Sequence, residues 1–313
     1  MRHVLPKCTS VFLVSLMTST AVAETVERSF EAMAGGRFVL DADWGHVEIE
    51  TWEQDAVDVV VEHADKLDLE FEQHDDTVTV RGERKERGLA RWFGGERRAP
   101  TFRVSVPQRF DLELTTAGGN IRIPDLDGEV VLRTAGGKLA IANISGSVAG
   151  RTSGGSIHLE SAGGPVNART SGGSIRIGSA AAAVDAVTSG GSIRIDGAAG
   201  PTVARTSGGS IELANMARHI QARTAGGSIK ATLSGRPDGE SSLRTVGGGI
   251  TVGLAEGIAL DIDARTTGGR VTAELANMES TAVDRSALVT AVNGGGPTMT
   301  LRTTGGSIRL RNL

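Results

Sequence analysis

The chain has 313 residues, 43 of them glycine, with 7 phenylalanines, 3 tryptophans, no tyrosine, a single cysteine and a formal net charge of −4. So few aromatic residues exclude an ordinary aromatic-rich core and favour a thin, repeated core of Ile, Val, Ala and Thr. One cysteine excludes a disulfide framework, and no nucleic-acid partner is expected.

Residues 1–23 read as a secretory signal peptide. Arg2 and Lys7 precede an apolar run from Val11 to Met17, and small residues end at Ala21-Val22-Ala23, so the mature start falls near Glu24. Cys8 lies inside this segment and lacks the small flanking residues of a bacterial lipobox, so no lipid anchor is expected. The mature chain is then cysteine-free, compatible with an oxidising compartment. No later segment approaches the roughly 18 apolar residues of a membrane span, and the expected location is periplasmic or extracellular.

Residues 24–115 carry 12 basic and 22 acidic residues and show alternating strands without a glycine motif, among them HVEIET from His46 and AVDVVVE from Ala56. Their expected role is to cap a stack of repeats, whose first member otherwise exposes an unpaired edge. Within them, RGERKERGLARWFGGERR at 81–98 places basic side chains around Trp92-Phe93. Arg91, Trp92, Phe93, Arg97 and Arg98 are therefore candidates for a membrane or partner contact, and docking onto the protein's own repeats suits them equally.

Residues 116–313 reverse the charge balance, with 19 basic and 15 acidic residues, and carry the repeat. RTSGGSI occurs at 151–157, 169–175 and 205–211, with close variants elsewhere. Its threonines stand at 116, 134, 152, 170, 188, 206 and 224, a period of 18, then at 245 and 266. That period suits one coil of a β-solenoid of two strand-and-turn halves. Alternation puts Val166, Ala168 and Thr170 inside and Asn167 and Arg169 outside. Large residues (Leu159, Ile177, Ile195, Leu213) then oppose small ones (Ala168, Ala186, Ala204, Ala222). The paired glycines supply a positive φ or a crowded backbone approach at the arc. Residues 276–293 fit no coil and read as a decorated coil or protruding loop. Arg309 and Arg311 are expected to guard the last edge, or that end accepts a partner strand.

The fold expected is thus all-β: a parallel β-solenoid (β-helix) of about nine or ten coils at 116–313, capped by the strands of 24–115. No catalytic, metal or cofactor site is legible. The glycine pairs lack the lysine of a phosphate-binding loop, and the repeat lacks the aspartates of a calcium-binding one. An ice-binding threonine array is disfavoured because the threonines point inward. One column faces solvent: Arg133, Arg151, Arg169, Arg205, Arg223, Arg244, Arg265 and Arg302, interrupted by Val187. It is a candidate track for a polyanion such as an acidic glycan or lipid headgroups, or else a solvated stripe that discourages self-association.

The T-[SA]-G-G-[SNK]-[IL] coils behind the VPQRFDLELTTAGGNI transition resemble the bacterial exported β-strand-repeat family of unknown function, whose members include proposed adhesins and auto-transporter adhesin head domains. The resemblance covers about 36–313 and implies a parallel β-solenoid at the cell envelope or surface, with no catalytic residues to carry over. The expected function is a non-enzymatic envelope binding or scaffold protein, whose partners are an anionic glycan, a lipid headgroup or an envelope protein. The alternatives are a carbohydrate-active enzyme of the parallel β-helix type and a structural protein that stacks through its terminal coils.

Overall fold

The computed structural model describes residues 24–85 and 98–313. The signal-peptide reading of 1–23, and Arg91, Trp92, Phe93 and Arg97 of the aromatic–basic patch, lie outside the described residues.

Each repeat contributes one strand to a 15-stranded front sheet and one to a 14-stranded back sheet. Val166–Arg169 in front turns through Thr-Ser-Gly-Gly into Ile175–Ala180 behind. Successive coils pair in parallel and in register, Val148 against Val166 against Val184, and Ile157 against Ile175 against Ile193. Period-two alternation then separates the faces: Val166 and Ala168 are buried, while Asn167 and Arg169 are exposed. Ala168, Ala186, Ala204 and Ala222 of the front sheet and Leu159, Ile177, Ile195 and Leu213 of the back sheet are all no more than 2% exposed. Small residues in one sheet therefore make room for large ones in the other.

The corner motif is fixed by close approach rather than by dihedral angle. A Cβ on Gly155 would lie 1.9 Å from the Gly137 carbonyl oxygen of the preceding coil, and one on Gly173 would lie 2.0 Å from that of Gly155. The first glycine of the pair is under less pressure, with 3.7 Å at Gly154. Neither motif position has a positive φ; the described glycines that do are Gly35, Gly45, Gly257, Gly294 and Gly295. Beneath each corner the threonine is buried, as alternation requires. Thr170 Oγ1 donates to the Gly155 carbonyl of the preceding coil at 2.8 Å and accepts from its own Gly173 N–H at 3.3 Å.

Among the described residues the strands form twelve parallel coils. Ten fall within 111–312, as the period predicts, and two more come from the N-terminal strands: Arg37–Ala42 with His46–Trp52, and Thr77–Arg84 with Thr101–Pro107. At about 4.8 Å per strand the stack is on the order of 55 Å long. Beyond these coils the N-terminal end is finished by antiparallel strands, Leu67–His74 in front and Ala56–Glu62 with Val26–Glu31 behind.

The two ends depart from sequence order in the same way. Thr298–Thr303 pairs with Ser241–Arg244 on one side and Leu260–Thr266 on the other, and Ile308–Asn312 lies likewise between Ile250–Leu254 and Val271–Glu274. The last coil in sequence is thus the penultimate coil in space. Arg309 and Arg311 sit in an interior strand, which corrects their expected place at an open edge. At the other end the first coil, 37–52, is covered by the later coil 77–107. Residues 276–293 are no protruding loop: Met278–Asp284 and Ala287–Val292 form an antiparallel hairpin that extends the front sheet past Leu260–Thr266.

Candidate anion-binding face

Outward side chains on the front sheet form two neighbouring columns set by the register. One runs Thr115, Arg133, Arg151, Arg169, Val187, Arg205, Arg223, Arg244, Arg302, Arg265. All eight predicted arginines share this column, but their order differs from that in sequence. Insertion of the terminal coil puts Arg302 between Arg244 and Arg265, making an unbroken row of five guanidinium groups from Arg205 to Arg265.

The second column, two residues earlier in each strand, holds Glu113, Val131, Ala149, Asn167, Asp185, Val203, Gln221, Ser242, Thr300 and Asp263. Its acids seat the flanking arginines. Arg133 meets Glu113 at 3.1 Å and Arg169 meets Asp185 at 2.6 Å. Asp263 accepts from Arg302 Nη2 at 2.5 Å and from Arg265 Nε at 3.0 Å. Burial pushes the Asp263 carboxyl upward, but the hydrogen bond and charge of Arg302, with those of Arg265, hold it below its ordinary value. Over Arg205, Arg223 and Arg244 the second column turns neutral. Among the described residues these three have no carboxylate within ion-pair distance, and Arg244 Nε donates only to Ser242 Oγ, at 3.1 Å.

The back sheet handles its cations differently. Arg176 and Arg194 share Asp196 at 3.5 and 2.7 Å, and Arg194 and Lys230 share Glu212 at 2.6 and 3.3 Å. These three central cations are neutralised by shared acids; among the described residues Arg122, Arg309 and Arg311 of the same sheet have no carboxylate partner but do not stand in successive coils, whereas the front row leaves three in succession uncompensated.

The row borders a groove of about 540 Å³, lined by Arg223, Arg244, Arg302 and Arg265 and closed at the far end by Ser286 and Ala287 of the hairpin. Sequence reasoning found the arginines and missed the groove and the neutral second column. The column was legible in principle, two residues before each arginine; the groove depends on the insertion and was not.

Of the five candidate residues of the second patch only Arg98 is described. Its carbonyl accepts from Lys66 Nζ at 2.5 Å, and Lys66 and Arg84 lie over the Trp44 ring at 5.8 and 4.4 Å. Trp44 itself stands at the first front-to-back corner, against Gly118 of the next coil. The roots of that patch are thus held on the solenoid. Among the described residues no group of three or more His, Asp or Glu is placed to hold a metal ion, and no helix is long and apolar enough to cross a membrane.

These features define a two-sheet parallel β-solenoid, finished by antiparallel strands on both sheets at the N-terminal end and on the front sheet at the other, whose front face bears an arginine row. The chain belongs to the Toastrack DUF4097 family, which matches residues 37–311. No curated protein matches it. Among solved structures it is similar to a proposed cell adhesion protein from Clostridium sporogenes, at 11% identity and a TM-score of 0.20 over 93% of this chain and 100% of that one. A proposed adhesin from Bacteroides fragilis matches at 10% identity and a TM-score of 0.32, over 93% and 97% of the two chains. Another from Parabacteroides distasonis matches at 10% and 0.29, over 93% and 98%. At this level of superposition the likenesses bear on no functional claim.

Proposed function

We propose that the protein is an exported, non-enzymatic binding scaffold of the cell envelope that holds polyanions along the front arginine row. The observation that carries this reading is the row itself: among the described residues Arg205, Arg223 and Arg244 stand in three successive coils without a carboxylate, whereas the adjacent back-sheet cations Arg176, Arg194 and Lys230 share Asp196 and Glu212. Like charges at neighbouring positions of a sheet repel. A row that leaves them uncompensated gives up stability which acids in the adjacent column recover elsewhere on the same face, and an anionic ligand recovers it on binding. The stiff, parallel-stacked core presents the row as a preorganised line, which lowers the entropic cost of association. Export and an envelope location rest on the signal-peptide reading of residues 1–23.

The test is binding of the mature protein to isolated envelopes, anionic glycans and anionic vesicles, alongside a variant with Arg205, Arg223 and Arg244 changed to Gln. Salt-sensitive binding that the folded variant loses supports the reading. Equal binding by both proteins, or by neither, returns the row to a solvated stripe.

A further inference from the structure

Resting on that reading, we infer that the segment Arg205–Arg223–Arg244 is a subsite for a linear carboxylated glycan, one bearing a carboxylate on each sugar, whose carboxylates take the seats that acids occupy elsewhere in the second column. The protein itself displays how a carboxylate sits on this face. Asp185 reaches Arg169 of the neighbouring coil at 2.6 Å, Glu113 is met by Arg133 at 3.1 Å, and Asp263 is shared by two adjacent guanidiniums at 2.5 and 3.0 Å. Each of these acids belongs to one coil, in the column two residues before the arginine position, and meets an arginine of a neighbouring coil. In the coils of Arg205, Arg223 and Arg244 that column holds Val203, Gln221 and Ser242, so these three coils carry no acid of their own in the column, and Asp185, in the coil next to Arg205, is engaged by Arg169 instead.

Three features favour a glycan over other polyanions. Gln221, Ser242 and Thr300 place neutral hydrogen-bonding side chains along the row, suited to a polymer rich in hydroxyl groups. Cations recur once per strand, about every 4.8 Å, a spacing of the same order as one sugar ring, so a polymer charged at every ring meets one guanidinium per residue. The groove beside the row is walled by Ser286 and Ala287 at one end, which suits a chain laid along it better than a flat bilayer.

The experiment fills the seats from within. Gln221→Glu combined with Ser242→Asp supplies the row with its own carboxylates, as Asp185 and Asp263 do for their neighbours, so the fold is not put at risk; thermal melting of the variant checks this. The probe is a homopolymeric oligouronate, measured by calorimetry beside an alternating glycan with one carboxylate per disaccharide, an inorganic polyphosphate and anionic vesicles. The expected result is that the oligouronate binds wild type in preference to the other three, and that the filled variant loses affinity by about tenfold or more, the scale of a charge-assisted hydrogen bond. If the filled variant binds the oligouronate as well as wild type while the Arg205/Arg223/Arg244→Gln variant does not, the row binds anions but the seats do not, and the inference falls while the proposed function stands. Preference for polyphosphate or vesicles also overturns it. Binding of no probe by wild type overturns both.

Discussion

Thr206 Oγ1 donates a hydrogen bond to the Gly191 carbonyl of the preceding coil at 2.8 Å and accepts one from Gly209 N–H of its own corner at 3.3 Å. A single hydroxyl thereby joins two coils and closes a turn. The arrangement recurs at Thr152, Thr170, Thr188 and Thr224. Thr206→Val keeps the shape and strands both backbone groups, a loss of about 1–3 kcal/mol. Thr206→Ser keeps both bonds and should lose clearly less. Denaturant unfolding of the two variants checks this; equal losses would mean that the methyl packing, not the hydroxyl, is what the position supplies.

The two glycines of a corner should respond very differently to a methyl group. At Gly155 the added carbon would sit 1.9 Å from a backbone oxygen, while at Gly154 the nearest atom is 3.7 Å away. Backbone on both sides is held in the coil stack, so relief at Gly155 must come from separating coils. Gly155→Ala should destabilise by about 3 kcal/mol or more, and Gly154→Ala should stay within about 0.5 kcal/mol of wild type. Comparable melting temperatures for the two variants would count against close approach as the reason for the motif.

Fold class, coil period, inward threonines and the arginine column were all legible because each is a property of one repeat read against its neighbour. The spacing of Thr152, Thr170 and Thr188 sets the coil, and the alternation through Val166 to Arg169 sets the faces. Spatial order at the ends was not legible, and the reason is degeneracy. RTTGGSI at 302–308 and RTTGGRV at 265–271 offer nearly the same strand edges to Arg244 and its coil, so periodicity gives no preference between them. What separates them is the intervening hairpin: Ala287–Val292 pairs antiparallel with Leu260–Thr266 and covers that strand's outer edge, leaving its inner edge for Thr298–Thr303. The first coil is hidden by the same device at the other end, where strands lacking the glycine motif gave no period to follow.

The insertion makes a prediction about the C-terminus that sequence position alone would reverse. Terminal residues usually fray and tolerate change. Here Leu310, three residues from the end, is fully buried, and its strand is paired on both sides. Leu310→Ala should cost about 2–5 kcal/mol, the ordinary range for a core leucine. Amide exchange at 308–312 should be as slow as in the central coils. Fast exchange there, with a negligible effect of the substitution, would show that the terminal coil is not held inside the stack.

Asp263 links the stability of that end to pH and to the charge of the row. Its carboxyl is held below the ordinary value of 3.8 because Arg302 and Arg265 outweigh the opposing effect of burial. The folded state therefore binds this proton less tightly than the unfolded chain. The contribution is fully present above the unfolded value and fades as pH falls through the lower folded one. Asp263→Asn should be less stable than wild type at neutral pH, and the gap between the two proteins should narrow in acid below about pH 4. The same change releases Arg302 and Arg265, adding two unpaired cations to the three at Arg205, Arg223 and Arg244. The variant should therefore bind an oligouronate more tightly than wild type at neutral pH and low salt, with the gain diminishing as salt rises. A variant that loses stability but gains no affinity would confine the ligand to the first three arginines. A gap in stability that stays constant down to pH 2 would mean that the carboxylate's charge is not what holds this corner together.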